Sequence, residues 1–362
     1  MIFSASFKNR IIVILSDLPF GLGSNFAIPV IKWLLSIFYY YPQSQFDLVQ
    51  RKRFIRCEAK IIDEALLNGI NQVTIVYDNY ISPPTYGDFL YVVLLARFFK
   101  ANGIRINFFI TDGEFRSDWH FTSIEASGFV DEQIKLAEAL LNSPLVKIEK
   151  LSWGIIQQRI LSDAPNLFIP FSKEVKARIG IYKHCFNLVN HLLSDKEDDL
   201  VDRVLFSFED LVKDVIVSPV KAPYVSCAFR YSLLEGDDIR NTTVEEIIAI
   251  HTHLRQRFPH CSIMIISDIN GCEYLSKLAQ VNNINCIFSK QFSTTFLGDG
   301  LLILNSEFYF QVRGGGIGVF PQFSRMPYEI VTPLVHEIMW SNIKLTSFQS
   351  QSQLFTNGSE WL

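Results

Sequence analysis

The chain has 362 residues, beyond the ~250–300 at which one hydrophobic core usually stops growing, so two domains are expected. Hydrophobic residues make up 49% and charged residues 19%, which excludes a disordered chain. A net charge of −4 excludes a nucleic-acid binder that works through overall charge.

The charge is uneven. Residues 1–60 carry eight bases against three acids, a balance of +5 that leaves −9 for the remainder. The apolar stretches 11–15 and 26–41 lie here; the second is sixteen residues long and holds Pro29 and Lys32. It falls short of the ~20 residues a spanning helix needs, and no small-residue cleavage site follows it. Trp33, Phe38, Tyr39, Tyr40 and Tyr41 end the stretch, and Arg51-Lys52-Arg53 come shortly after. Aromatic rings and basic heads suit the headgroup layer of an anionic membrane. The other reading is a buried strand and helix of the first domain, and both stay open. A dinucleotide loop after residues 11–15 fails on spacing, because Phe26 stands where the third glycine belongs.

A regular series starts near residue 70. Gln72–Tyr77 is a short β-branched run, Ser82–Gly87 a loop, and 88–102 a helix with Phe89, Val92, Val93, Ala96 and Phe99 on its apolar face. Residues 104–110 form the next strand, 131–142 a helix, and 155–215 a mostly helical connector. Alternation restarts with a strand at 224–229. A helix over 242–258 follows, capped by Thr242 or Thr243, then a strand at 262–267, a helix at 272–281 and strands at 285–289 and 308–312. Strand–helix–strand repeats imply parallel sheets. The predicted fold is α/β, with two Rossmann-like domains facing a central cleft. The expected divisions are a basic, aromatic-rich segment 1–60, a first domain 61–215, a second domain 216–335, and a tail or helix 336–362.

The cysteines are scattered with no CxxC or zinc spacing, and read as small buried hydrophobes in a reducing compartment. His251 and His253 are two apart, roughly 200° apart around a helix, and share no ion. No metal or other cofactor is expected.

Candidate site residues lie beyond strand ends, where open parallel sheets bind ligands. Asp88, after Gly87, either caps its helix or accepts a proton from a substrate hydroxyl. Asp112 and Glu114, with Asp118 and His120 behind, form either an acceptor side or a solvated turn. Arg230 follows a strand and suits bidentate phosphate recognition; an ion pair with Asp237 or Asp238 is the alternative. Arg240 closes that loop. Ser267 and Asp268 contact a nucleotide or cap the next helix. Arg313, Gly314, Gly315 and Gly316 offer successive backbone N–H groups for an anion, or a tight turn. Glu329 is placed to hold ribose hydroxyls.

Taken together these residues resemble glycosyltransferases of the GT-B architecture. Gly87-Asp88 is similar to the Gly-Asp of heptosyltransferase-type enzymes, whose Asp is the catalytic base. Phe229-Arg230-Tyr231 through Arg240-Asn241, then Ser267-Asp268, is similar to the donor motifs of fucosyltransferase-like families, without their paired arginines. Arg313–Gly318 followed by Pro327 resembles the late glycine-rich loop of surface-polysaccharide transferases. The resemblance spans roughly residues 70–335 and leaves the first 60 without a counterpart.

It implies inverting, metal-independent transfer from a nucleotide sugar to a glycan or polyisoprenoid-linked hydroxyl. The implied site is cytoplasmic, with contact to the inner face of the membrane and no nucleic-acid partner. Asp88 would be the base, with Arg230 and Gly314–Gly316 receiving the departing diphosphate. The alternatives are a nucleotide-sugar epimerase and a non-catalytic, membrane-attached scaffold of the same fold.

Overall fold

The computed structural model describes residues 55–79, 85–112, 123–162, 167–170, 181–212, 218–220, 223–231, 241–312, 316–333 and 345–350. All belong to one compact unit that begins at Gln50. The aromatic stretch 26–41 and Arg51–Arg53 lie outside the described residues.

Helix α1, over residues 55–67, buries Ile55, Ala59 and Ile62. Residues 55–60, expected to fall with the N-terminal segment, are therefore part of the first α/β half. That half continues as β1 Gln72–Tyr77, α2 Tyr86–Ala101, β2 Arg105–Thr111, α3 Ser123–Leu141, β3 Val146–Leu151, α4 Trp153–Ser162 and β4 Leu167–Pro170. Its sheet has the order β3-β2-β1-β4 and every pairing is parallel.

Strands β3 and β4 are edge strands that the hydropathy pattern did not reveal. The first alternates Val-Lys-Ile-Glu-Lys-Leu and is only half-buried. The second is four residues ending on Pro170, inside a stretch expected to be helical; a proline that cannot donate is tolerated at a sheet edge.

Helices α5 Ile181–Leu193, α6 Asp198–Val204 and α7 Phe208–Val212 connect the halves. The second half runs β5 Tyr224–Ala228, α8 Val244–Arg257, β6 Ser262–Ile266, α9 Ile269–Val281, β7 Ile287–Phe288, α10 Phe296–Leu304, β8 Tyr309–Val312, α11 Val319–Gln322, β9 Tyr328–Pro333 and β10 Leu345–Ser350. Sheet order is β10-β9-β8-β5-β6-β7, parallel except for β10, which lies in the segment expected to be a tail or helix. The run β7-β6-β5-β8 repeats the order β3-β2-β1-β4. Each sheet thus reverses its strand order once, between β1 and β4 and between β5 and β8.

Both sheets are covered on two faces. Val73, Ile75 and Tyr77 enter the main core, while Val76 turns to Phe109 and Ile156. In β5, Tyr224 and Ala228 enter that same main core and Val225 and Cys227, with Phe229 just after the strand, a second one with Ile247, Leu254 and Ile263. Period-2 alternation with both faces apolar is the signature of a buried parallel strand. The main core is continuous across the two halves, from Phe89 and Phe108 to Tyr309 and Phe320.

Helix α2 holds that continuity. Every residue from Gly87 to Phe99 except Tyr91 is buried. Arg97, 2% exposed, donates from Nε to Val204 O (2.6 Å), from Nη1 to Leu140 O (2.9 Å), and from Nη2 to Leu205 O (2.6 Å) and Asp210 Oδ2 (2.7 Å). One guanidinium so satisfies carbonyls left over at the C-termini of α3 and α6. Tyr91 donates to Gln322 Oε1 at 3.2 Å, and Phe206 N–H bonds Phe323 O at 2.7 Å, joining the halves directly.

Candidate functional site

The carboxyl edge of each sheet is where the sequence placed its candidates. In the second half, Arg230 follows β5 by two residues and is half-buried. Its backbone is clamped by Thr242: Arg230 N–H donates to Thr242 Oγ1 at 3.0 Å, and Arg230 O accepts from Thr242 N–H at 2.9 Å. The pairing of Ala228 with Gln311 of β8 puts Arg230 at the carboxyl edge, on the β5 side of the point where strand order reverses. Arg240, Arg313, Gly314 and Gly315, together with Asp237 and Asp238, lie outside the described residues.

Ser267 directly follows β6, and its hydroxyl donates to Phe229 O at 3.3 Å. That bond ties the ends of β5 and β6 together. Asp268 takes the structural alternative: it is exposed, and its Oδ1 accepts Gly271 N–H at 2.6 Å as the N-cap of α9. Glu329 corrects its expected role. It sits at the start of β9, opposite Phe310, and pairs with Arg257 in the last turn of α8, a helix that has already returned from the carboxyl edge. The pair sits at the amino edge of the sheet, away from Arg230 at the carboxyl edge.

Gly316 is explained by backbone packing. It meets Gly87 so closely that a Cβ built on Gly87 would lie 2.7 Å from Gly316 Cα, and one on Gly316 would lie 2.7 Å from Gly87 N. Gly316 of one half is thereby seated on the first turn of α2 in the other. Beside it, the half-buried ring of Tyr86 stacks between Phe129 (centroids 4.7 Å apart) and Phe296 (4.6 Å). Burial, with Glu132 nearby, pushes the Tyr86 hydroxyl up to about 12, so it stays a neutral donor at any ordinary pH.

Asp88 is not the cap of its helix. Thr85 is, its hydroxyl accepting Asp88 N–H at 3.4 Å, and Asp88 lies in the first turn at 6% exposure. Burial, then the charges of Glu58 and Asp88, push the Cys185 thiol far up. Asp112 is exposed after β2 and pairs with Lys150 at 3.6 Å, the solvated-turn alternative. Glu114, Asp118 and His120 lie outside the described residues.

Two groups at these edges escaped the sequence reading. Asp78 and Asn79 directly follow β1 and engage Thr111 at the end of β2. Lys290, beyond β7, forms an ion pair with Asp299 of α10, whose carboxylate is 5% exposed. A polar pair immediately after a β-branched run was the available signal for the first. Nothing in the apolar sequence Phe296–Leu304 announced the second.

Among the described residues no group of three His, Cys, Asp or Glu is placed to hold a metal ion, and no helix is long and apolar enough to cross a membrane. All six cysteines are free; Cys185, Cys227 and Cys272 are buried as expected of small hydrophobes, whereas Cys57 is exposed.

No protein-family model matches the chain, and no curated protein does. Similar arrangements occur among solved structures at low identity. The iron-containing dodecameric glycosyltransferase TibC of enterotoxigenic E. coli is 10% identical with a TM-score of 0.37, over 77% of this chain and 62% of that one. A glycosyl transferase family 9 structure from Veillonella parvula is 9% identical with a TM-score of 0.35, over 74% of this chain and 88% of that one. The UDP-GlcNAc 2-epimerase of Neisseria meningitidis, bound to UDP-GlcNAc, is 11% identical with a TM-score of 0.33, over 74% of this chain and 84% of that one. The match thus spans less than two thirds of the first of these proteins. A likeness this remote assigns no activity, and function must be argued from the geometry.

Proposed function

We propose that the chain is a glycosyltransferase that moves a sugar from a nucleotide donor to a hydroxyl of a glycan or lipid-linked glycan. The observation that carries the reading is Arg230, with its backbone clamped by Thr242, at the reversal point of a parallel sheet. Open α/β sheets take ligands in that crevice, and a guanidinium there suits the two phosphates of a nucleoside diphosphate. Arg230 stabilises the charge that develops on the departing diphosphate, a task that falls to a metal in other designs. Arg313 and the amides of Gly314 and Gly315 share this task in the proposal. The first half supplies the acceptor side, with a carboxylate at its carboxyl edge taking the acceptor proton and inversion at the transferred carbon.

Thermal shifts with UDP, GDP, CMP and dTDP test the donor site. A nucleotide present at 100 times its Kd should add about 2.7 kcal/mol of stability. Arg230→Ala should weaken the nucleoside diphosphate by roughly 1.5–3 kcal/mol while sparing the matching nucleoside. Equal losses for both would make Arg230 structural. Nucleotide release that an added glycan acceptor accelerates over slow release to water marks a transferase, release indifferent to acceptor an epimerase, and no release a scaffold.

The basic segment 1–60 supports attachment to an anionic membrane surface, where polyisoprenoid-linked acceptors reside. Neutralising Arg51, Lys52 and Arg53 should lower vesicle binding in a salt-dependent way and leave donor turnover intact. Wild type that ignores anionic vesicles at low salt would assign the segment to the protein's own packing.

A further inference from the structure

Three buried polar side chains converge at the carboxyl ends of β1 and β2. Asn79 and Gln133 are fully buried and Thr111 is 2% exposed. Asn79 and Gln133 exchange two amide hydrogen bonds, Nδ2 to Oε1 at 3.0 Å and Nε2 to Oδ1 at 3.1 Å. Asn79 also donates from Nδ2 to Thr111 O at 3.2 Å, and from its backbone N–H to Thr111 Oγ1 at 2.8 Å. The Thr111 hydroxyl, already accepting from Asn79, directs its single proton to Asp78 Oδ1 at 3.3 Å.

The direction of each of these bonds is therefore determined, and they lead to a carboxylate. Apolar residues of similar volume would stabilise this spot as well as a buried polar network does. What a satisfied network adds is rigidity and a single orientation. Its one charged member, Asp78, is only half-buried and lies directly after the central strand β1, next to the reversal between β1 and β4.

We propose that Asp78 is the base that takes the acceptor proton, with Thr111 as its positioning residue, and that Asp88 serves the packing of α2. The proposal rests on the transferase reading above. In the step, the acceptor O–H proton passes to the Asp78 carboxylate as its oxygen bonds the anomeric carbon. The bond from that carbon to the phosphate oxygen breaks, and the nucleoside diphosphate leaves with the electron pair. A donated hydroxyl proton on one carboxylate oxygen fixes the orientation of the group, which a base in this position requires. Asp88, by contrast, is 6% exposed on a helix buried along most of its length.

The test uses the full chain and water as the smallest acceptor. Nucleotide release is followed from UDP-, GDP-, CMP- and dTDP-sugars across pH, with nucleotide binding measured in parallel. Asp78→Asn keeps an acceptor for the Thr111 proton, so melting and nucleotide affinity should match wild type while turnover falls by about 10²–10⁴-fold and the acidic limb of its pH profile disappears. Thr111→Val should lower kcat with the donor KM unchanged and displace that limb, and Thr111→Ser should restore both. Turnover of Asp78→Asn within a few-fold of wild type, or an acidic limb unmoved in both Thr111→Val and Asp78→Asn, overturns the assignment. So does a wild type that binds a nucleotide yet releases none from any of its sugar conjugates, which leaves the donor site standing. A wild type that binds no nucleotide overturns the donor site itself, and the base with it.

Discussion

Asp299 shows what a single buried charge does to pH dependence. Burial raises its pKa from 3.8 to about 6, even though Lys290 and Ser289 pull it back down. A carboxyl raised in the fold is held more tightly as the neutral acid, so its contribution to stability is greatest below the unfolded value. That contribution shrinks as pH climbs from about 4 to about 6 and is gone above, a span of roughly 3 kcal/mol. Asp299→Asn should flatten the pH dependence of the urea midpoint between pH 4 and 7 relative to wild type; parallel profiles would contradict the shift. Arg97 is the complementary case, a buried cation whose pKa burial lowers but which stays charged among four backbone carbonyls and Asp210. Arg97→Met removes the donors and leaves those oxygens buried, an expected loss of about 3–5 kcal/mol by denaturant titration. A loss below about 1 kcal/mol would show that water replaces the guanidinium.

At the scale of elements, the first turn of α2 and Gly316 form one joint. Gly87 and Gly316 leave no room for a methyl group on either side. Gly87→Ala and Gly316→Ala should each cost about 1–3 kcal/mol through overpacking. Once either has forced the joint apart, the second substitution should cost less than it does alone, so the double mutant should fall short of the sum. Strict additivity would place the two glycines in separate contacts. Helix α8 shows the opposite situation, where local chemistry suffices. Thr243 and Glu246 make a reciprocal capping box that its sequence announces. In α2 the cap is Thr85, and Asp88, one of the two readings of which is a cap, already lies inside the helix.

For the whole molecule, the consequence is cooperativity. The main core runs through both sheets, and the connections Tyr91 to Gln322 and Phe206 to Phe323 cross between the halves. Two Rossmann-like sheets sharing a core should open as one unit, so amides of β1 and β5 should exchange with deuterium at the same limiting free energy. A lower value for one sheet would make the halves independently folding domains. The shared core also bears on the expected division near residue 216. The chain does change sheets there, between α7 and β5, but the burial does not stop.

What the sequence by itself determined is the local order: strands β1, β2, β5, β6 and β8, helices α2 and α8, and the restart of alternation after the connector. These follow from apolar runs and caps, which are properties of neighbouring residues. It also located Arg230 at a strand end. Only the tertiary structure decided which strand ends lie side by side, because β3 carries charged residues between its apolar ones and β4 ends on a proline inside a stretch that reads as helical, and without them the reversal between β1 and β4 is invisible. Only it showed Glu329 paired with Arg257, Gly316 seated on Gly87, and Thr111 aiming its proton at Asp78. Each of those contacts joins residues distant in the chain, and pairing across such distances is set by packing, on which periodicity within a segment carries no information.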